Sequence, residues 1–176
     1  GDAWGGRSQN QHRSCQPGQR FSHFHPMIIW QGIVLIIRIL VTLVQDNQPE
    51  GPTDLALVLD GSASISAADF TLQLEGVASA LENPAIIPAD GSVAITVVQF
   101  GNNIATTEIA LTPVTGATVA ASLATQIRAI DQLGDGTPTA AAIDEAVDAL
   151  GTGTPGARQV IIIATDGQPT FPDADP

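Results

Sequence analysis

Residues 55–64 read Leu-Ala-Leu-Val-Leu-Asp-Gly-Ser-Ala-Ser, and the fold class is decided there. Five apolar residues in a row, Leu55 to Leu59, have the length of a strand and no polar alternation. That is the pattern of a strand covered on both faces. The run ends in Asp60-Gly61-Ser62-Ala63-Ser64, a loop with one carboxylate and two hydroxyls. These are hard oxygen donors, and open α/β sheets keep their sites just beyond the carboxyl ends of their strands.

Downstream, Ser66-Ala-Ala-Asp69 has the form of a capping box with Asp in place of Glu. Phe70, Leu74, Val77, Ala78 and Leu81 then fall on one helical face. Pro84, Pro88 and Asp90-Gly91 break the chain before a second strand from Val93 to Phe100, and Glu108 to Leu111 predicts a short third. Val119, Leu123, Ile127 and Ile130 mark a second helix. Thr137-Pro138 predicts an N-cap with proline at the first helical position. The third helix that follows has Ile143, Val147 and Leu150 on its apolar face and Gly151 as its stop. Val160 to Ala164 is the last strand and ends at Thr165-Asp166-Gly167. This alternation predicts a Rossmann-like α/β domain, a mostly parallel open sheet with flanking helices.

Composition narrows what such a domain can do. The 176 residues suffice for one domain, with 44% apolar residues to build its core. All six basic residues are arginines, and lysine and tyrosine are absent. Residues 1–50 carry a net charge of +1 and residues 51–176 a net charge of −13. A domain that acidic repels a phosphate backbone, so no nucleic-acid partner is expected, whereas cations suit it. The single cysteine, Cys15, excludes an intrachain disulfide and a multi-thiolate metal site.

Four segments follow from this reading. Residues 1–26 are a polar leader without periodicity, read as disordered; His12, His23 and His25 fall there. Residues 27–44 form an apolar run interrupted by Gln31 and Arg38. As a helix it would reach ~27 Å, just short of the ~30 Å hydrocarbon core, and a mid-segment Arg costs about 2.5–3.5 kcal/mol on insertion. It reads as a signal-type segment, as an uncleaved anchor with the acidic domain outside, or as neither. The first two place the domain outside the cytoplasm, with membrane association through 27–44. Residues 45–53 are a linker with Pro49 and Pro52, and 54–176 are the folded domain.

Three loops of that domain belong together: Asp60 to Ser64, Gly134 to Thr139, and Thr165 to Gly167. Each alone is an ordinary turn or helix start. In a parallel sheet, however, strand ends and helix starts gather on one edge, so Asp60 and Asp166 would face each other from neighbouring strands. Two close carboxylates repel unless one is protonated or a cation lies between them. Hydroxyls from Ser62, Ser64 and Thr137 would complete an oxygen-only shell, suited to Mg²⁺, Mn²⁺ or Ca²⁺ and wrong for Zn²⁺. Thr139 reads as a helix-start residue and Asp135 as part of a solvated loop.

At these residues the sequence resembles the von Willebrand factor A family, including the integrin inserted domains, over about Asp54 to Pro169. The motifs are Asp60-x-Ser62-x-Ser64, Gly136-Thr137-x-Thr139 before a helix, and a hydrophobic strand ending in Thr165-Asp166-Gly167. The resemblance implies a metal-ion-dependent adhesion site. There Ser62, Ser64 and Thr137 contact the metal, Mg²⁺ before Mn²⁺ or Ca²⁺, and Asp60 and Asp166 bind it directly or through water. It also implies an open coordination position that an acidic residue of a protein or peptide partner fills. The stretch Phe70 to Leu81 further resembles bacterial secreted members. The family's sheet normally continues beyond the Thr-Asp-Gly loop, so the expectation is a C-terminally truncated domain with one uncovered sheet edge.

The expected function is therefore a non-enzymatic, cation-dependent binding or adhesion module. One alternative is a metal-dependent phosphoryl-transfer enzyme, which also uses an Asp after a strand. It wants a second early acid and a cation for the phosphate; Ser62 stands where that acid would be, and lysine is absent. Another is a truncated fragment with no activity of its own.

Overall fold

The computed structural model describes residues 51–167; the leader, the apolar run 27–44, the linker up to residue 50 and residues 168–176 lie outside the described residues. Strand β1 (Thr53–Asp60) is the axis of the sheet, buried at every position. It begins at Thr53, whose N–H bonds the Ser92 carbonyl. On one side it pairs in parallel with β2 (Val93–Gly101), and on the other in parallel with β4 (Arg158–Ala164). Strand β3 (Ile104–Pro113) runs antiparallel to β2, which gives the order β3-β2-β1-β4. The expected mostly parallel α/β sheet is thus what forms.

The helices take both faces. Helix α1 (Ala67–Leu81) and α2 (Ala117–Arg128) pack with the Leu55, Leu57 and Leu59 side of β1. Helix α3 (Thr139–Leu150) packs on the opposite side, against Ala56 and Val58. The α1 start is the one expected: Ser66 accepts the Asp69 N–H and donates to the Asp69 carboxylate, occupying an otherwise unpaired helix-start donor. Phe70, Leu74, Val77, Ala78 and Leu81 are all buried. Phe70, Leu74, Val77 and Leu81 each contribute roughly 1.5–3 kcal/mol through removal from water.

Three expectations are corrected. The third strand is ten residues long, not four. It is the second arm of a hairpin whose two loop residues, Asn102 and Asn103, both have positive φ, 47° and 60°. Such a turn matches the strand twist and extends the pairing at once, but Asn-Asn announces it less clearly than Asn-Gly. Helix α3 begins at Thr139, with Pro138 at the cap and no side-chain cap bond, so Thr137-Pro138 is not the helix start predicted. Its core face also differs. Ala142, Ala146 and Leu150 are buried, while Ile143 and Val147 are 40% and 53% exposed. Alanines let the helix approach Ala56 and Val58 closely, and close packing against the sheet outweighs the placement of two larger side chains.

A single cation ties α1 to α2. Arg128 donates to both Glu75 oxygens (2.7 and 2.9 Å) and both Glu82 oxygens (2.8 and 2.9 Å). These bonds hold both carboxyls below their ordinary 4.5. A carboxyl whose folded value is lowered adds stability that is full above the unfolded value and is lost as pH falls through the folded one. Arg128→Met should therefore melt earlier than the wild type at neutral pH. The gap should close as pH drops well below 4.5; a gap that persists in acid would assign the loss to packing instead.

Candidate metal site

Four of the five candidate residues meet in one hydrogen-bonded chain. Asp60 ends β1 with no exposed surface, and its Oδ1 accepts the Ser62 N–H at 2.9 Å. Ser62, also fully buried, has its Oγ 2.9 Å from Ser64 Oγ. Ser64 Oγ then donates to Asp166 Oδ1 at 3.0 Å, across 102 residues of sequence. The parallel pairing of β1 with β4 makes this contact, because it ends both strands at the same edge. Ser64 and Asp166 are exposed, so the group is buried at Asp60 and open at Asp166.

The fifth residue, Thr137, is 2% exposed on the loop before α3. That loop is bound to the Asp60–Ser64 segment: Ala63 N–H donates to the Asp135 carbonyl (2.8 Å), and Gly134 N–H to the Gly61 carbonyl (2.7 Å). All three loops therefore share one edge. Asp135 has φ of +50° and is exposed, consistent with a solvated turn residue. Thr139 opens α3, and its buried hydroxyl has no hydrogen-bond partner.

Three glutamines that sequence reasoning missed hold these loops. Gln99, fully buried in β2, accepts the Leu133 N–H (2.9 Å) and donates to the Asp131 carbonyl (3.0 Å) and Glu108 (3.1 Å). Gln132 donates to the carbonyls of Ser62 (3.1 Å) and Ile65 (2.9 Å), and Gln73 reaches the Asp60 carbonyl (3.4 Å). The one available signal was Gln99, a polar residue inside the apolar run Val93–Phe100. Gly61 is explained here as well: a Cβ would collide with the Gln99 side-chain oxygen, so glycine serves a close approach and not a turn.

The oxygen set fits a hard divalent cation. Among the described residues no three His, Cys, Asp or Glu side chains converge; the shell would have two carboxylates, with hydroxyls as its other side-chain donors. Adjacent oxygens stand about 2.9 Å apart around octahedral Mg²⁺ and about 2.7–3.1 Å apart in the equator of a seven-coordinate Ca²⁺. The Ser62–Ser64 and Ser64–Asp166 separations of 2.9 and 3.0 Å suit either ion and are also those of a hydrogen bond.

Fold and edge define an open α/β domain with an oxygen-lined site at the strand ends. The von Willebrand factor type A domain matches residues 54–176, and the chain belongs to that family. Two structures of the pilus adhesin SpaC from Lactobacillus rhamnosus GG, one in an open conformation, share the fold with a TM-score of 0.52 at 20% identity. The match covers 70% of this chain and 16% of the adhesin, so the chain spans about a sixth of that protein. No curated protein matches the chain.

Proposed function

We propose that this domain is a non-enzymatic interaction module that binds a divalent cation, Mg²⁺ first, through Asp60, Ser62, Ser64, Thr137 and Asp166. When bound, the cation supplies a localised positive charge on an acidic surface, where a carboxylate of a protein or peptide partner completes the coordination. The observation that carries this reading is the hydrogen-bonded chain from buried Asp60, through the Ser62 N–H and the hydroxyls of Ser62 and Ser64, to exposed Asp166. Asp60 and Ser62 hold the inner side rigid, and the exposed Ser64–Asp166 side gives a partner access. No arginine is hydrogen-bonded to either carboxylate among the described residues, so a bound cation would supply their compensating charge. An adhesive role outside the cytoplasm agrees with the adhesin likeness and with the signal or anchor readings of residues 27–44.

Adding Mg²⁺ to the purified chain should raise its melting temperature, and chelation should reverse the shift. At a hundredfold excess over Kd the stabilisation is about 2.7 kcal/mol. Peptides bearing Asp or Glu should bind only with Mg²⁺ present, and their Asn or Gln counterparts should not bind. A chain whose melting is indifferent to Mg²⁺, Mn²⁺ and Ca²⁺ alike would sink the proposal.

A further inference from the structure

We infer that Thr165 is a positioning residue for this site, orienting the Asp60 carboxylate and so setting the preference for Mg²⁺ over Ca²⁺; the inference rests on the cation-site reading above. Thr165 lies one residue beyond the end of β4 and is exposed, yet its hydroxyl is turned inward. It donates to Asp60 Oδ2 at 2.6 Å. The Gly167 N–H donates to the same hydroxyl at 3.2 Å. A hydroxyl has one proton to give. The 2.6 Å carboxylate bond takes it in preference to the Gly167 carbonyl at 3.4 Å.

Two consequences follow. Both oxygens of Asp60 have a fixed partner, Oδ1 the Ser62 N–H of its own loop and Oδ2 the hydroxyl from β4. Neither partner alone would fix the plane of the carboxylate. In addition, the Gly167-to-Thr165 bond closes a turn with Asp166 at its centre. One hydroxyl thus ties the orientation of the first carboxylate to the turn that presents the second.

The link to metal choice is coordination chemistry. Mg²⁺ requires near-octahedral geometry with short bonds, whereas Ca²⁺ accepts six to eight ligands and two-oxygen contacts from one carboxylate. With Oδ2 held by Thr165, Asp60 cannot swing to offer both oxygens to one ion. That restraint suits Mg²⁺. Without the hydroxyl the carboxylate can rotate, and the restraint on Ca²⁺ is lifted. As a strand-end residue Thr165 would need only its β-branched shape, which valine shares. The hydroxyl is what the inference concerns.

The test is calorimetric titration of the full chain with Mg²⁺ alone and with Ca²⁺ alone, for wild type, Thr165→Val, Thr165→Ala and Thr165→Ser. Thermal melts in EDTA verify folding, and because Thr165 is exposed, at least one of the two hydroxyl-free variants should fold. Mg²⁺ affinity should fall roughly tenfold or more in Thr165→Val and Thr165→Ala, the scale of lost outer-shell contacts. Ca²⁺ affinity should fall less, and Thr165→Ser should restore the wild-type ratio. An unchanged Mg²⁺ to Ca²⁺ ratio in the hydroxyl-free variants overturns the inference while leaving the cation site standing, as does failure of serine to restore it. A wild-type chain that binds neither ion overturns both.

Discussion

Replacing Asp60 by alanine should abolish the response to Mg²⁺ while leaving the fold in place. Asp60 is the fully buried end of the hydrogen-bonded chain, and both of its oxygens are held by protein donors. Its loss removes one of the two candidate carboxylates of the site, so affinity should drop by at least roughly a hundredfold. Metal-free stability should fall by about 1–3 kcal/mol, the cost of leaving the buried Ser62 N–H without its partner. The Thr165 hydroxyl is also freed, but Thr165 is exposed and can turn to water. Melting curves with and without Mg²⁺ decide the matter: they should superimpose in Asp60→Ala and separate in the wild type. A retained Mg²⁺ shift would move the site elsewhere.

The opposite result is expected at the other end of the same strand. Asp54 is also fully buried, and it accepts the Thr154 N–H at 2.6 Å and the Thr154 hydroxyl at 2.8 Å. Those bonds hold the segment between α3 and β4 against the start of β1. Gly153, at φ +61°, leaves room for the arrangement, since a Cβ there would run into the Asp54 carboxylate. Asp54→Ala removes two charge-assisted bonds and should cost about 3 kcal/mol. For a domain of this size that is a fall of about 10 °C in Tm. Six residues of strand separate Asp54 from Asp60, about 20 Å. The Mg²⁺-induced shift should therefore survive in whatever fraction remains folded. Loss of both stability and cation binding would mean that the two poles are coupled, contrary to this expectation.

The two aspartates share one structural row. Side chains alternate along a strand, so Asp54, Ala56, Val58 and Asp60 point to the face that α3 covers. The row has small apolar residues where the alanine stripe of α3 lies and a buried carboxylate at each end. One carboxylate ties down the segment after α3, and the other stands beside the loop before it. The sequence marks where the domain starts near Asp54, but nothing in local pattern separates a buried Asp there from a solvated linker residue. Burial depended on Thr154, a hundred residues away.

The same division runs through the whole protein. Local pattern was enough for the α/β class and for the elements that carry the candidate loops, and it singled out five oxygen-bearing candidates at the strand ends and in the loop before α3. Uninterrupted apolar runs, 3.6-residue periodicity and Asp-Ser or Thr-Asp-Gly loops are short-range signals with a direct physical cause. Tertiary structure alone decided that β3 extends into a full hairpin arm and that α3 packs on its alanines. It alone recruited Gln73, Gln99 and Gln132 to brace the loops and turned the Thr165 hydroxyl onto Asp60. Each of these depends on a partner distant in sequence. A side chain's role in such a pair is set by what the sheet brings beside it, and residue type and spacing carry no record of that.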